Sequence, residues 1–290
     1  MHGVLVVDKP QGITSFDVVR EVRRALGVRK VGHTGTLDPM ATGVLPVCVG
    51  EATKIAQFIT EATKAYEATV RLGVTTDTLD AEGRVLLERP VPPVTRETLQ
   101  AALERFRGTF DQTPPMYSAV KVGGRRLYEL ARAGEEVERA ARKVTVFELT
   151  LRDFSATELK LSVRCSKGFF VRSLAADLGE ALGCGAHLTA LRRTRSGPFT
   201  LDQAISLADV QARGAALAAR LVSMADALAD VPRLDVTAAE AERVRHGGVV
   251  EVPVSLAGLH RVVGPGDELL ALADAERGRL KYRRVLTRDG

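Results

Sequence analysis

The chain has 290 residues, 45% hydrophobic and 27% charged, with 41 Lys and Arg against 36 Asp and Glu and a formal net charge of +5. This is ample for a packed core, argues against a mostly disordered chain, and suits one large domain or a main domain with a smaller one. Cys48, Cys165 and Cys184 are widely spaced without a CxxC pair, and the five histidines show no metal-ligand spacing, so free thiols and no metal are expected.

The amino terminus offers only a five-residue apolar run before Asp8 and Lys9, too short for a signal peptide or a membrane span. A soluble cytoplasmic protein is expected. Within that run, Val4 to Val7 reads as a buried strand. Thr14 or Ser15 opens a helix with Val18, Val19, Val22 and Leu26 on one face, Arg20, Arg23 and Arg24 on the other, and Gly27 at its end. In the stretch from Gly32 to Pro46 a single carboxylate, Asp38, lies among glycines, prolines and hydroxyls. Asp-Pro disfavours helix at Asp38, and the glycines allow close backbone approach, so the carboxylate is placed at a loop tip. An arbitrary Asp-Pro pair more often only begins a turn.

Tyr66 to Leu72 alternates with period two, a half-buried strand with Tyr66 on the side of Ala68, Val70 and Leu72. Thr95 opens a helix carrying Leu99, Leu103 and Phe106, with Gly108 beyond it. Leu159 to Cys165 alternates again and runs into Lys167–Arg172, after which Leu174, Leu178 and Leu182 mark a helix stopped by Gly183. Gly185 and His187 then begin a loop leading to Arg192, Arg193 and Arg195. Ala208 to Ala229 reads as helical, and Asp230-Val231-Pro232 breaks it at the best domain boundary. Thr237 with Glu240 forms a capping box for a short helix ending at His246-Gly247-Gly248, followed by short strand candidates. The absence of a regular βαβ repeat predicts an α+β fold with a mixed, largely antiparallel sheet flanked by helices. Arg277, Arg279, Lys281, Arg283, Arg284 and Arg288 form a basic tail suited to phosphate contact or to a solvated face.

The segment 32–54, GHTGTLDPMATGVLPVCVGEATK, resembles the catalytic motif of the tRNA pseudouridine synthase B family. Val7-Asp8-Lys9-Pro10-Gln11-Gly12, Pro115-Met116-Tyr117-Ser118-Ala119-Val120-Lys121 and Cys165-Ser166-Lys167-Gly168-Phe169-Phe170-Val171-Arg172 resemble it in the same order. The resemblance implies the pseudouridine synthase fold in residues 1–230, with 114–142 as a mobile RNA-gripping insertion around Tyr117, Ser118, Lys121 and Arg125-Arg126 and a flexible tip at Gly123-Gly124. It implies a small PUA-like β-barrel in 231–290, to which the basic tail belongs. The implied activity is isomerisation of the T-loop uridine at tRNA position 55, with tRNA as partner, no cofactor, no membrane and no obligate protein partner; a monomer is expected.

Making pseudouridine breaks the N1–C1′ bond, turns the uracil and joins C5 to the same carbon, so it needs a carboxylate near the anomeric carbon and a closed pocket. By resemblance Asp38 is that carboxylate, and attack on the sugar carbon, attack on the ring and removal of a sugar proton all remain open. Arg172 is its implied guanidinium partner, and Lys9 supports the cleft. Tyr66 serves as a stacking surface or as a phenol for the C5 proton. Phe170 and Leu191 line the pocket, Phe170 standing where the commoner family pattern has tyrosine. His33 is assigned to the T loop, wedged where the base left the stack.

Three other readings compete. A noncatalytic RNA-binding protein is disfavoured by the presence of Asp38, Tyr66 and Arg172 in their motifs. The catalytic subunit of RNA-guided complexes is disfavoured by the absence of Lys-rich tails and by the short carboxyl-terminal module. A glycosidase needs two opposed acids, whereas Asp77 and Asp80 are expected to shape a loop.

Overall fold

The computed structural model describes residues 1–286, in which two compact units are distinguished. The first comprises Met1–Asp38, Gly43–Ala62 and the chain from Ser196 onward; the second comprises Pro39–Thr42 and Thr63–Arg195.

In the first unit the strand Gly3–Lys9 is buried along nearly its whole length, as its run of valines and leucine requires. It pairs antiparallel with Thr42–Val49, from Gly3 opposite Val49 to Lys9 opposite Gly43, and parallel with Ile205–Ser206. Val31–His33 also pairs with Thr42–Val49. The helix Ser15–Leu26 buries Val18, Val19, Val22 and Leu26, is capped by Thr14 with Asp17, and ends at Gly27 in the left-handed region, φ 64°.

The expected helix from Ala208 to Ala229 is not continuous. Helix Leu207–Arg213 stops at Gly214, φ 51° and ψ −129°, and a 3-10 segment Gly214–Arg220 follows. Val222 then bonds to Val4 in both directions at 2.9 Å. Alanine favours helix by only tenths of a kcal/mol per residue, and the run has too few large apolar side chains to bury against that local preference. Pairing with the buried amino-terminal strand prevails.

The carboxyl-terminal part of this unit is a four-stranded sheet in the order Arg233–Asp235, Gly258–Gly264, Glu268–Glu276, Arg279–Val285. Helix Ala238–Arg245, with the Thr237–Glu240 capping box, packs Ala241 and Val244 against Val262, Leu270 and Ala273. The other face sends Val263, Leu269 and Leu272 into the core around Val4, Val6, Cys48 and Ile55. Each such leucine contributes about 1.5–3 kcal/mol. Among the described residues the sheet does not close into a barrel. The stretch before Gly258 adds only the single bridge Glu251–Arg279, and Pro253 there has no amide to donate.

The second unit is built on strands in the order Ala186–Ser196, Lys64–Leu72, Glu158–Cys165, Arg142–Phe154, Gly108–Gln112. The last three pairings are antiparallel, with Tyr66 opposite Val163. Residues 186–196, expected as a loop, form a strand. Buried His187 and Arg193, 6% and 1% exposed, stand at positions where an alternating pattern shows apolar residues, and they concealed it. Arg193 is therefore neither a solvated cation nor a surface phosphate contact.

Helix Val171–Ala181 approaches the start of that strand through Gly179. A Cβ there would lie 2.2 Å from the Ala186 amide nitrogen and 2.3 Å from the Gly185 carbonyl carbon. The Gly179 carbonyl accepts from Cys184 and Gly185 at 3.1 and 2.9 Å. Gly179→Ala would gain up to about 1 kcal/mol of helix propensity, but overpacking against backbone costs about 1–3 kcal/mol. Urea unfolding is expected to show a net loss; a gain would mean that the 183–186 turn yields freely.

All three cysteines are buried and free. Desolvation pushes the Cys48 and Cys165 thiols up to about 12. Their thiolates form only after unfolding, so neither is expected to react with a thiol reagent near pH 8 in the native protein. The folded state holds these protons to higher pH than the unfolded chain, so stability is expected to fall as pH rises from about 9 towards 12. Native thiol titration and unfolding midpoints across that range check both statements.

Candidate active site

Asp38 is half-buried in the loop that leaves Val31–His33 and enters Thr42–Val49, immediately before a turn at Pro39-Met40. The loop is fixed at two points before Asp38. The Thr34 amide donates to the Pro46 carbonyl at 3.1 Å. The Ser15 hydroxyl accepts from the Leu37 amide at 2.8 Å and donates to the Leu37 carbonyl at 3.0 Å. Thr14 caps the helix, which leaves Ser15, 2% exposed, to hold the residue before Asp38. The sequence shows Ser15 only as a helix start; the Thr-Ser doublet was the signal for a second role.

Lys9 is fully buried at the end of its strand, opposite Gly43, where the Asp38 loop feeds into the partner strand. Its ammonium donates to the Pro10 carbonyl at 2.9 Å, as a buried charge requires hydrogen bonds. His33 ends its strand opposite Val47, four residues before the loop's anchored Leu37.

In the second unit Arg172 is the second residue of helix Val171–Ala181 and is 4% exposed. Its guanidinium donates to the Thr78 carbonyl at 2.8 Å and the Tyr117 carbonyl at 2.7 Å, and Asp80 lies in ion-pair range at 3.6 Å. Asp80 accepts from the Thr78 hydroxyl at 2.5 Å and the Glu82 amide at 3.1 Å. Asp77 shapes the loop as expected, accepting from the Arg84 amide at 2.9 Å. Asp80 does that and also stands beside Arg172, a role the sequence reading missed. The hydroxyls of Thr76 and Thr78, spaced to satisfy a buried carboxyl residue, were the available signal. Leu79, between Thr78 and Asp80, takes φ 64°, a costly conformation for a leucine, with its carbonyl held by the Leu188 amide at 3.1 Å.

Tyr66 is half-buried on Lys64–Leu72, and Leu191, 9% exposed, lies on the neighbouring strand. The Leu191 carbonyl accepts from the Thr42 hydroxyl at 3.5 Å, so the end of the Asp38 loop that belongs to the second unit is tied to the Leu191 strand. Phe170 immediately precedes the Arg172 helix. Lys9, His33 and Asp38 thus belong to the first unit, and Tyr66, Phe170, Arg172 and Leu191 to the second.

In the 114–142 segment a hairpin, Lys121–Val122 with Arg125–Arg126, turns through Gly123 and Gly124, both at positive φ, and helix Leu127–Arg132 buries Leu127 and Leu130. In the basic tail Arg283 pairs with Asp274 and Lys281 with Glu276; Arg288 lies outside the described residues. A surface cavity of about 880 Å³ lined by Arg71, Gly73, Arg89, Pro92 and Phe154 includes none of the candidate side chains. Of its cations, Arg89 pairs with Glu180 at 3.4 Å, and Arg71 stands opposite Glu158 on the neighbouring strand. Among the described residues no three His, Cys, Asp or Glu gather as a metal site, and no helix is long and apolar enough to cross a membrane.

Residues 23–171 match the model of the TruB family pseudouridylate synthase N-terminal domain, 172–230 the tRNA pseudouridylate synthase B C-terminal domain, and 231–287 the tRNA pseudouridine synthase II C-terminal region. The chain is 49% identical to the tRNA pseudouridine synthase B of Aromatoleum aromaticum, over 99% of this chain and 93% of that protein. It is 48% identical to that of Geobacillus kaustophilus, over 88% and 93%. Among solved structures it is similar to one described as a Cbf5-Nop10-Gar1 complex, with 27% identity, a TM-score of 0.79, and coverage of 99% of this chain and 86% of that one. The mixed sheet with its flanking helices is the pseudouridine synthase fold, and the chain belongs to the TruB family of pseudouridylate synthases.

Proposed function

We propose that this tRNA pseudouridine synthase acts on uridine 55 of the T loop and that Asp38 is its essential carboxylate. Isomerisation of a tRNA uridine to pseudouridine follows from membership of the family. The observation that carries the site assignment is the immobilised loop around Asp38, whose preceding residue has both its amide and its carbonyl held by one buried hydroxyl. A carboxylate on a fixed loop spends little orientational entropy when it meets the sugar or the base.

The reaction exchanges a C–N for a C–C glycosidic bond on the same carbon, with no redox change and no group donor. Asp38 meets the nucleotide by attack on C1′, by attack on C6, or by removing a sugar proton to form a glycal. Arg172 supplies the guanidinium of the site, its direction fixed by Thr78, Tyr117 and Asp80. Tyr66 stacks on the extruded uracil or handles the C5 proton, and Phe170 and Leu191 wall the pocket. Such stacking is worth about 1–3 kcal/mol per base, enough to offset part of the few kcal/mol spent on flipping. Lys9 supports the cleft from its buried strand end, and His33 fills the place the uridine leaves in the T loop. Residues 114–142 grip the RNA and 231–290 form a PUA-like RNA-binding module. The protein works as a cytoplasmic monomer without cofactor or metal.

Tritium release from C5-labelled uridine in an unmodified tRNA transcript tests the assignment. Asp38→Asn is expected to abolish release while tRNA affinity stays within about threefold; near-normal turnover would remove Asp38 from the chemistry. Asp80→Asn keeps an acceptor for Thr78 but removes the charge beside Arg172. It is expected to slow a single turnover ~10- to 100-fold, as a small misplacement of a reacting group does, and to cost about 1–3 kcal/mol of stability. An unchanged rate would make Asp80 a loop-shaping residue only.

A further inference from the structure

Helix Val171–Ala181 delivers Arg172, yet the residue at its amino-terminal cap is Phe170, whose side chain has no group to satisfy the first-turn amides. The backbone of Phe170 itself is held from elsewhere. Gln112, the last residue of strand Gly108–Gln112 and 3% exposed, accepts from the Phe170 amide at 2.8 Å through its side-chain oxygen and donates to the Phe170 carbonyl at 3.1 Å through its side-chain nitrogen. The opposite orientation of the amide would face donor to donor and acceptor to acceptor, so the assignment is unambiguous. One residue on, the Thr113 carbonyl accepts from the Ser173 hydroxyl at 3.2 Å. Four residues further, the Tyr117 carbonyl accepts from Arg172 itself.

We infer that Gln112 is a positioning residue for the isomerisation: its amide sets the backbone of Phe170 and thereby the placement of Phe170 and Arg172 at the uridine. Gln112 sits on a strand paired with Arg142–Phe154, its own partner being Arg142, so the clamp is referred to the sheet and not to a loop. Gln112 is also where the chain leaves the sheet for the 114–142 segment. Without Gln112 the Phe170 amide loses the acceptor the structure gives it, while the Phe170 carbonyl keeps the Leu174 amide at 3.1 Å. The expected fault is a small rotation of the helix entry and not its unfolding.

This inference rests on the assignment of Phe170 and Arg172 to the uridine site. The test compares Gln112→Leu, Phe170→Ala, Arg172→Ala and the core control Leu99→Ala, at a temperature where all four are folded by circular dichroism. Each is measured for single-turnover tritium release and, separately, for tRNA affinity by filter binding. Gln112→Leu is expected to slow release ~10- to 100-fold while affinity stays within about threefold, and Leu99→Ala, with an equal or larger loss of thermal midpoint, is expected to keep its rate. A Gln112→Leu rate within threefold of the intact protein, or a loss no greater than that of Leu99→Ala, overturns the inference. If Phe170→Ala and Arg172→Ala are slow and Gln112→Leu is not, the inference alone fails. If Phe170→Ala and Arg172→Ala both keep the normal rate, the site assignment fails and the inference with it.

Discussion

Arg172 is a cation buried at the wrong end of a helix, and much of the second unit is arranged around making that tolerable. The amino terminus of a helix carries partial positive charge and disfavours a neighbouring cation by about 0.3–1 kcal/mol even at the surface. Helix Val171–Ala181 has no acidic residue in its first turn to compensate. Compensation is brought in from outside by the carbonyls of Thr78 and Tyr117 and the carboxylate of Asp80. Charge-assisted hydrogen bonds of this kind contribute about 1.5–3 kcal/mol each, so two of them outweigh the dipole term. The left-handed Leu79 is a consequence, because it turns the 76–80 loop so that the Thr78 carbonyl and the Asp80 carboxylate reach the same guanidinium.

The Asp38 loop shows the complementary solution. The restraint seen here acts on the backbone just upstream of Asp38. Ser15 takes both polar groups of Leu37, and the Leu37 side chain is itself buried at 3% exposure. A neutral hydroxyl does this without changing the charge near Asp38. In both units the functional loop is stapled to the first turn of a helix, Ser15 opening one and Phe170 to Ser173 the other. A helix start is suited to this because its backbone is rigid and its first amides need partners.

What the sequence disclosed and what it concealed follow the same physical line. Residues whose role is local were legible: Thr14, Thr95 and Thr237 as caps, Gly27 as a left-handed stop, and the alternation from Tyr66 to Leu72. Asp38 was legible as a loop carboxylate because Pro39 and the flanking glycines restrict the backbone directly, although its chemical role came from the resemblance of the whole motif. Concealed were the residues whose partners lie far away in the chain. Asp80 meets Arg172 across 92 positions and Gln112 meets Phe170 across 58, and no local pattern encodes either pairing. The strand Ala186–Ser196 was hidden because His187 and Arg193 are buried polar residues, which periodicity counts as exposed. The run after Ala208 misled because propensity speaks for helix while the pairing of Val222 with Val4 is tertiary.

Gln112 and Ser15 are buried polar residues that hold the backbone beside the candidate site residues, and their persistence has a thermodynamic reason. A buried polar side chain left without partners costs about 1–3 kcal/mol, so each persists only where its hydrogen bonds specify one arrangement. Gln112 uses both ends of its amide on one residue, and Ser15 uses donor and acceptor on one residue. An apolar side chain in either place would preserve the core but leave the adjacent loop free to slide by an ångström. For a reaction that detaches a base, turns it and rejoins it to the same carbon, that freedom bears on rate more than on stability. On the proposed assignment of Asp38 and Arg172, Ser15 and Gln112 are accordingly better understood as fixing the position of these two residues than as adding to the free energy of folding.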